Sequence, residues 1–307
     1  MVNKILFGDC RETLKTIDTK AQMCVTSPPY YGLRNYGGED KQIGMEQTPE
    51  EYIEQLVDVF RSVRDVLTDD GTLWLNIGDT YYNYRSDGNY PKQTVSRTKQ
   101  DLPDFSPVRG NKLHNLKSKD LIGIPWMLAF ALRADGWWLR QDIIWNKPNP
   151  MPESVKDRCT KSHEYIFLLS KSKNYYYDNE AIKEPVKQDW GTRDRTNGKY
   201  HNPGSGLAPH SGLSKSYDRK NKRSVWSITN KPYKGAHFAV FPPDLIEPCI
   251  LAGSEQGDIV LDPFMGSGTT GMVAKKNFRS YIGCELHKDY ASLQTDRIDS
   301  IPPQLVL

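Results

Sequence analysis

The chain has 307 residues, 37% of them apolar, and a formal net charge of +3. That length holds one large α/β domain carrying an insertion, and a mean hydropathy of −0.67 with no bilayer-length apolar run excludes a membrane-spanning helix as the expectation. Five scattered cysteines (Cys10, Cys24, Cys159, Cys249, Cys284) without a C-x-x-C pair argue against a disulfide scaffold or a metal site. They read as reduced, mostly buried thiols. Residues Met1 to Asp9 lack a signal-peptide layout, so a cytoplasmic protein is expected.

Lys4 to Gly8 reads as a short strand with Asp9 at its carboxyl end, and Arg11 to Ile17 as a short amphipathic helix. Met23 to Val25 is a second strand, running into Thr26-Ser27-Pro28-Pro29-Tyr30. Neither proline has an N–H and both have a set φ, so the chain leaves the sheet here in a stiff turn. The Ser27 hydroxyl and Pro28 carbonyl offer two acceptors there, and Tyr30 a flat face. Such a set suits a planar base with an exocyclic amine; it equally describes a stiffened loop with a half-buried tyrosine.

Thr48-Pro49-Glu50-Glu51 opens a helix with a cap, an early proline and first-turn acids. Tyr52, Ile53, Leu56, Val59, Phe60, Val63 and Leu67 keep helical spacing, and Asp70-Gly71 is the expected stop. Thr72 to Ile77 is a strand ending at Gly78-Asp79. The segment 81–119 is polar and proline-broken, which marks a long functional or irregular loop. Asp120 is the expected cap of a helix reaching Ala134. Strands follow at Trp137 to Trp145 and Tyr165 to Leu169, with a third candidate at Tyr175 to Tyr177. Residues 183–235 read as irregular, Pro243 to Leu251 as a helix, and Lys288 to Asp299 as the last helix.

Between these last two helices lies a strand, Ile259 to Leu261, then Asp262-Pro263-Phe264-Met265-Gly266-Ser267-Gly268-Thr269-Thr270-Gly271. A helix from about Thr269 to Lys276 and a strand, Tyr281 to Cys284, lead to Glu285 at its tip. Strand, glycine turn, helix, strand and acid suit a nucleotide, with the backbone close to the ligand and the acid on ribose hydroxyls. A nicotinamide dinucleotide enzyme is the competing reading of G-x-G-x-x-G. Two features oppose it: Asp262-Pro263-Phe264 before the glycines, and only 22 residues after Glu285 for a second half.

Together these motifs resemble the amino-group DNA methyltransferases of the N4-cytosine/N6-adenine family, in the permuted order that puts the catalytic motif before the cofactor motif. Ser27, Pro28, Pro29 and Tyr30 match the catalytic tetrapeptide, and Asp262, Pro263, Phe264, Gly266, Ser267, Gly268, Thr269 and Thr270 the cofactor loop. Glu285 matches the ribose acid and Asp9 the N-terminal acidic turn, although a turn aspartate explains Asp9 as well. His237, Phe238 and Pro242 resemble the segment closing over the methionine end of the cofactor. Trp145-Asn146-Lys147-Pro148-Asn149 and Ser162-His163-Glu164-Tyr165 also look like family strands.

The resemblance implies a circularly permuted, Rossmann-like sheet with helices on both faces and an irregular target-recognition insertion. It divides the chain into a catalytic part (1–182), a target-recognition region (183–235) and a cofactor-binding part (236–307). It implies S-adenosyl-L-methionine as methyl donor without a metal, and double-stranded DNA as substrate. The protein would be a monomer or homodimer in a bacterial, archaeal or phage-infected cell, with a cognate restriction endonuclease as candidate partner. Ser27 and Pro28 would accept hydrogen bonds from the target amine, and Tyr30 would stack on a base turned out of the duplex. Phe264 would pack on the adenine side of the cofactor.

Charge points the same way. Residues 183–235 hold 12 Lys/Arg against 4 Asp/Glu, and residues 85–119 hold 8 against 3, so basic charge concentrates outside the family match. Aromatic and amide groups (Trp190, Tyr200, His201, Asn202, Tyr217, Trp226, Asn230) are interleaved in the first segment, which is expected to read DNA, with 85–119 as a second clamp. Ser27, where adenine-directed relatives more often carry Asp or Asn, favours cytosine N4 over adenine N6: a hydroxyl both accepts and donates beside a ring nitrogen, whereas a carboxylate only accepts. Rival classes are an RNA or protein amide methyltransferase and a non-catalytic nucleic-acid-binding module.

Overall fold

A computed structural model of the chain describes residues 2–33, 42–82, 115–186, 218–230 and 241–302. Its elements run β1 (Lys4–Phe7), α1 (Cys10–Thr13), β2 (Ala21–Thr26), α2 (Pro49–Val66), β3 (Leu67–Ile77), α3 (Ile124–Ala134), β4 (Trp138–Asn146) and β5 (His163–Ser170). They continue with β6 (Glu184–Pro185), β7 (Arg219–Lys220), β8 (Val225–Ser227), α4 (Pro243–Gly253), β9 (Ile259–Asp262), α5 (Thr269–Lys276), β10 (Ser280–Glu285) and α6 (Ala291–Asp299). The chain falls into two compact units, Met1–Tyr177 with Ser224–Leu307, and Asp178–Arg223.

The first unit holds an eight-stranded sheet in the order β1-β10-β9-β2-β3-β5-β4-β8. The neighbours from β1 to β3 pair in parallel; β5 is antiparallel to both β3 and β4, and β8 returns parallel to β4. Parallel inner strands must be apolar on both faces, because helices cover both. Accordingly Met23, Cys24 and Val25 of β2, and Leu73, Trp74 and Leu75 of β3, are buried. Helix α2 forms as its sequence dictates: Thr48 and Glu51 close a capping box, Pro49 stands in the first turn, and Tyr52, Leu56, Val59, Phe60 and Val63 face the core. Each such side chain contributes about 1.5–3 kcal/mol when removed from water.

Four local expectations are corrected. Helix α2 ends at Val66 and the chain turns at once into β3, because Leu67 already pairs with Ala21. Asp70-Gly71 therefore lies inside a strand; a Cβ on Gly71 would stand 3.0 Å from Leu67 Cβ, so close packing explains the glycine. The N-cap position of α3 is Gly123, not Asp120, and the N–H groups there are met by Asp79, whose Oδ1 accepts from Gly123 N (3.0 Å) and Ile124 N (3.1 Å), while Asp120 is spent on Lys117 N. Tyr175 to Tyr177 is not a strand, although Tyr176 N still reaches Asp70 O. Residues 225–227, read as irregular, form β8, held by Trp145 Nε1 donating to Ile228 O at 2.8 Å.

The second unit contains β6 and β7, paired antiparallel with Glu184 opposite Lys220. Glu184 also accepts from Arg223 Nε at 3.1 Å. Among the described residues no helix is long and apolar enough to cross a membrane, and no His/Cys/Asp/Glu group is arranged to hold a metal. The five cysteines are thiols, Cys159 exposed and the other four buried.

Candidate active site

From β9 the chain runs through α5 to β10 on one side of the sheet, and from β2 through α2 to β3 on the other. The adjacent β9 and β2 are thus the point where strand order reverses, and their carboxyl ends open a crevice there. Both motif loops leave from it. Thr26, last residue of β2, donates its hydroxyl to Asp262 Oδ1 on β9 at 2.6 Å. The other oxygen of Asp262 accepts from Thr270 Oγ1 at 2.6 Å, and Oδ1 also takes Phe264 N at 3.0 Å. Asp262 is buried, and burial pushes its carboxyl up to about 6. With those three donors it acts as a strut between the loops.

On the β2 side, Pro28 is buried and Ser27 half-buried. Tyr52 of α2 donates its hydroxyl to the Pro29 carbonyl at 2.8 Å. Among the described residues no donor reaches the Pro28 carbonyl, so of the two proline carbonyls only Pro29's is spent on the fold. Tyr30 is half-buried with its hydroxyl inward, donating to Glu164 Oε2 at 2.6 Å and standing 3.5 Å from Ser27 Oγ. Burial, then the neighbouring Glu164 carboxylate, raises this phenol's pKa. Its ring fits because residue 78 is glycine: a Cβ there would meet Tyr30 Cε2 at 2.7 Å.

On the β9 side, Gly266 (φ 52°) and Gly268 (φ 81°) take the left-handed backbone that the tight loop needs. Gly271 serves packing instead, since a Cβ would stand 2.8 Å from Ile298 Cδ1. Pro263, Ser267, Thr269 and Thr270 are buried, and Phe264 is half-buried. Helix α6 braces the loop: Gln294 Nε2 donates to Gly266 O and Arg297 Nη1 to Ser267 Oγ, both at 2.6 Å. Glu285, at the tip of β10, accepts from Gly266 N at 2.8 Å and His287 N at 2.9 Å. Burial drives its carboxyl up to about 7. Each carboxylate oxygen holds two lone pairs, so acceptor capacity remains for a diol.

The structure brings Asp9 beside this tip, since Phe7 pairs with Glu285 and Gly8 N donates to Glu285 O. The Asp9 carboxylate caps α1 through Arg11 N and pairs with the Arg11 guanidinium at 2.6 Å. Pro242 is buried at the start of α4. His237 and Phe238 lie outside the described residues, as does most of 85–119 and of 183–235. Sequence reasoning assigned no role to Thr26, Asn76, Lys147, Glu164, Gln294 or Arg297. Polar Asn76 and Glu164, at ends of apolar strands that face the crevice, were the signal available for two of them.

The DNA methylase family model matches residues 21–296. The chain belongs to this family. It is 50% identical over 296 residues to the type II methyltransferase M.SmaI of Serratia marcescens, covering 96% of this chain and 90% of that one. Among solved structures, the cytosine-N4-specific PvuII DNA methyltransferase superposes with a TM-score of 0.62 at 18% identity, over 97% of this chain and 86% of the other. The complex of M1.HpyAVI with SAM gives a TM-score of 0.54 at 19% identity, over 96% and 98%. These two share the fold. In this DNA methylase the family match spans β2 with its Ser27–Tyr30 loop and β9 with its glycine loop, the two halves of the crevice.

Proposed function

We propose that this DNA methylase transfers a methyl group from S-adenosyl-L-methionine to an exocyclic amine in duplex DNA, with N4 of cytosine as the target. The observation that carries this is the Pro28 carbonyl next to Ser27 at the end of β2, which takes no donor among the described residues and is joined through Thr26 and Asp262 to the glycine loop. The SAM complex among its fold neighbours and the type II methyltransferase among its relatives support the donor and the DNA substrate.

The cofactor supplies an electrophilic sulfonium methyl. Glu285 would hold the ribose hydroxyls, Phe264 would lie along the adenine, and the Gly266–Gly268 backbone would admit the ligand closely. An aromatic exocyclic amine is a poor nucleophile because its lone pair is delocalised into the ring. Accepting its two N–H bonds at Ser27 Oγ and Pro28 O localises that lone pair and aims it at the methyl carbon. With the amine so held, transfer would release the cofactor as a neutral thioether, and the proton lost from nitrogen would pass by way of the Ser27 hydroxyl to water. Tyr30 would stack on the extruded base. The basic segments 183–235 and 85–119 would bind the duplex, the first reading its sequence.

Incubation with S-adenosylmethionine and duplex DNA, digestion to nucleosides and mass spectrometry tests this. N4-methylcytosine is expected. N6-methyladenine in its place would move the target base and leave the rest intact. Methylation of RNA or protein alone would overturn the DNA reading.

A further inference from the structure

Glu164 stands on β5, where the antiparallel register sets it opposite Trp145 of β4 and the next residue, Tyr165, opposite Ile77 of β3. Its carboxylate therefore reaches the end of the sheet from which the Ser27–Tyr30 loop emerges. Oε2 accepts from the Tyr30 hydroxyl at 2.6 Å and from Asn76 Nδ2 at 3.2 Å. Oε1 is paired with the Lys147 ammonium, which also lies 4.2 Å over the Trp145 ring. Asn76 is engaged on both sides, since Nδ2 also donates to Tyr165 O at 3.1 Å and Oδ1 faces the Tyr30 hydroxyl at 3.4 Å. The side chains of Lys147 and Glu164 are only 17% and 15% exposed, so this is not a screened surface pair. Three groups converge on one carboxylate, and one of them is the tyrosine of the catalytic loop.

We infer that Glu164 is a positioning residue for methyl transfer: it clamps the Tyr30 hydroxyl, and its ion pair with Lys147 holds the clamp in place. This rests on the proposed roles of Ser27 and Tyr30. A tyrosine meant only to fill space needs no charged partner. One that must present its ring at a set angle to an incoming base, beside a serine that must meet the amine, gains from a hydroxyl held by a carboxylate. Charge-assisted hydrogen bonds are short and directional, and a displacement of about 1 Å at a reacting centre costs on the order of 100-fold in rate. The clamp lies on the β3–β5–β4 side of the crevice and the glycine loop on the β9–β10 side, so disturbing it should leave cofactor binding alone.

The test is a double-variant cycle in the full chain, reading single-turnover methyl transfer to duplex DNA and, separately, S-adenosylmethionine affinity by calorimetry. Glu164→Gln is expected to slow transfer about 10- to 100-fold with cofactor affinity unchanged. Tyr30→Phe, which keeps the ring and loses only the clamped hydroxyl, is expected to slow it comparably. The double variant should be no slower than the worse single variant. A purely structural Glu164 would instead give losses that multiply. Multiplying losses, or a wild-type rate in either single variant, overturns the inference; the Tyr30→Phe arm decides even if Glu164→Gln fails to fold. Wild-type protein that transfers no methyl to any DNA overturns both this inference and the proposed function. Normal wild-type transfer with either failing arm overturns the inference alone.

Discussion

Thr26 Oγ1 and Asp262 Oδ1, 236 residues apart in the chain, are joined by a buried 2.6 Å hydrogen bond across the adjacent strands β2 and β9. It ties the loop that would hold the target amine to the loop that would hold the methyl donor. Thr26→Val keeps the shape and removes the donor from a buried carboxylate. Its unfolding free energy in a denaturant titration should fall by about 1.5–3 kcal/mol, the range for a hydrogen bond to a charged group.

Asp262 also sets a pH dependence of stability. Burial holds its folded pKa at about 6, above the ordinary carboxylate value near 4. Between these values the folded chain binds a proton that the unfolded chain does not. The stability contribution of this group is therefore present below about pH 4 and is lost as pH rises to about 6. Asp262→Asn, which does not titrate, should flatten the measured stability-against-pH curve in that window. An unchanged curve would show that Asp262 does not titrate there.

Glu285 is expected to make cofactor binding pH-dependent. Its carboxyl titrates at about 7 in the free protein, raised by burial, and a ribose diol donates best to the ionised form. Affinity for S-adenosylmethionine should weaken as pH falls below 7, approaching tenfold per unit. Glu285→Gln should bind more weakly at pH 8 and show a flatter profile. Calorimetry at several pH values reads both; unchanged affinity in the variant would remove Glu285 from the site.

Gly78 leaves room for the Tyr30 ring, and an added Cβ would stand 2.7 Å from Cε2. Gly78→Ala should push the ring aside and reduce methyl transfer by one to two orders of magnitude, roughly the cost of a 1 Å displacement. S-adenosylmethionine affinity, measured in parallel, should hold.

DNA binding should fall steeply with salt, with a log–log slope of about −0.9 per phosphate neutralised. Exchanging residues 183–235, with 12 Lys/Arg against 4 Asp/Glu, for a relative's segment should change the methylated sequence. A methylated sequence that stays the same would move recognition elsewhere, first to 85–119.

What the sequence by itself determined was local. Thr48-Pro49-Glu50-Glu51 announces α2 because a capping box is completed within one helical turn. Gly266 and Gly268 announce the tight loop after β9 because only glycine takes that backbone freely. The apolar runs of β2 and β9 announce inner strands, and two prolines must end the first of them. Tertiary structure decided everything that required a distant partner. Asp79, 44 residues before Gly123, took the first N–H groups of α3 in place of Asp120, and Leu67 left helical periodicity because Ala21 offered it a ladder. Three residues of a polar stretch became β8 because β4 had a free edge beside them. The pairings of Thr26 with Asp262 and of Tyr30 with Glu164 depend on which strands end side by side. Strand order is set by how helices pack on both faces of the sheet, and no window of neighbouring residues contains that information.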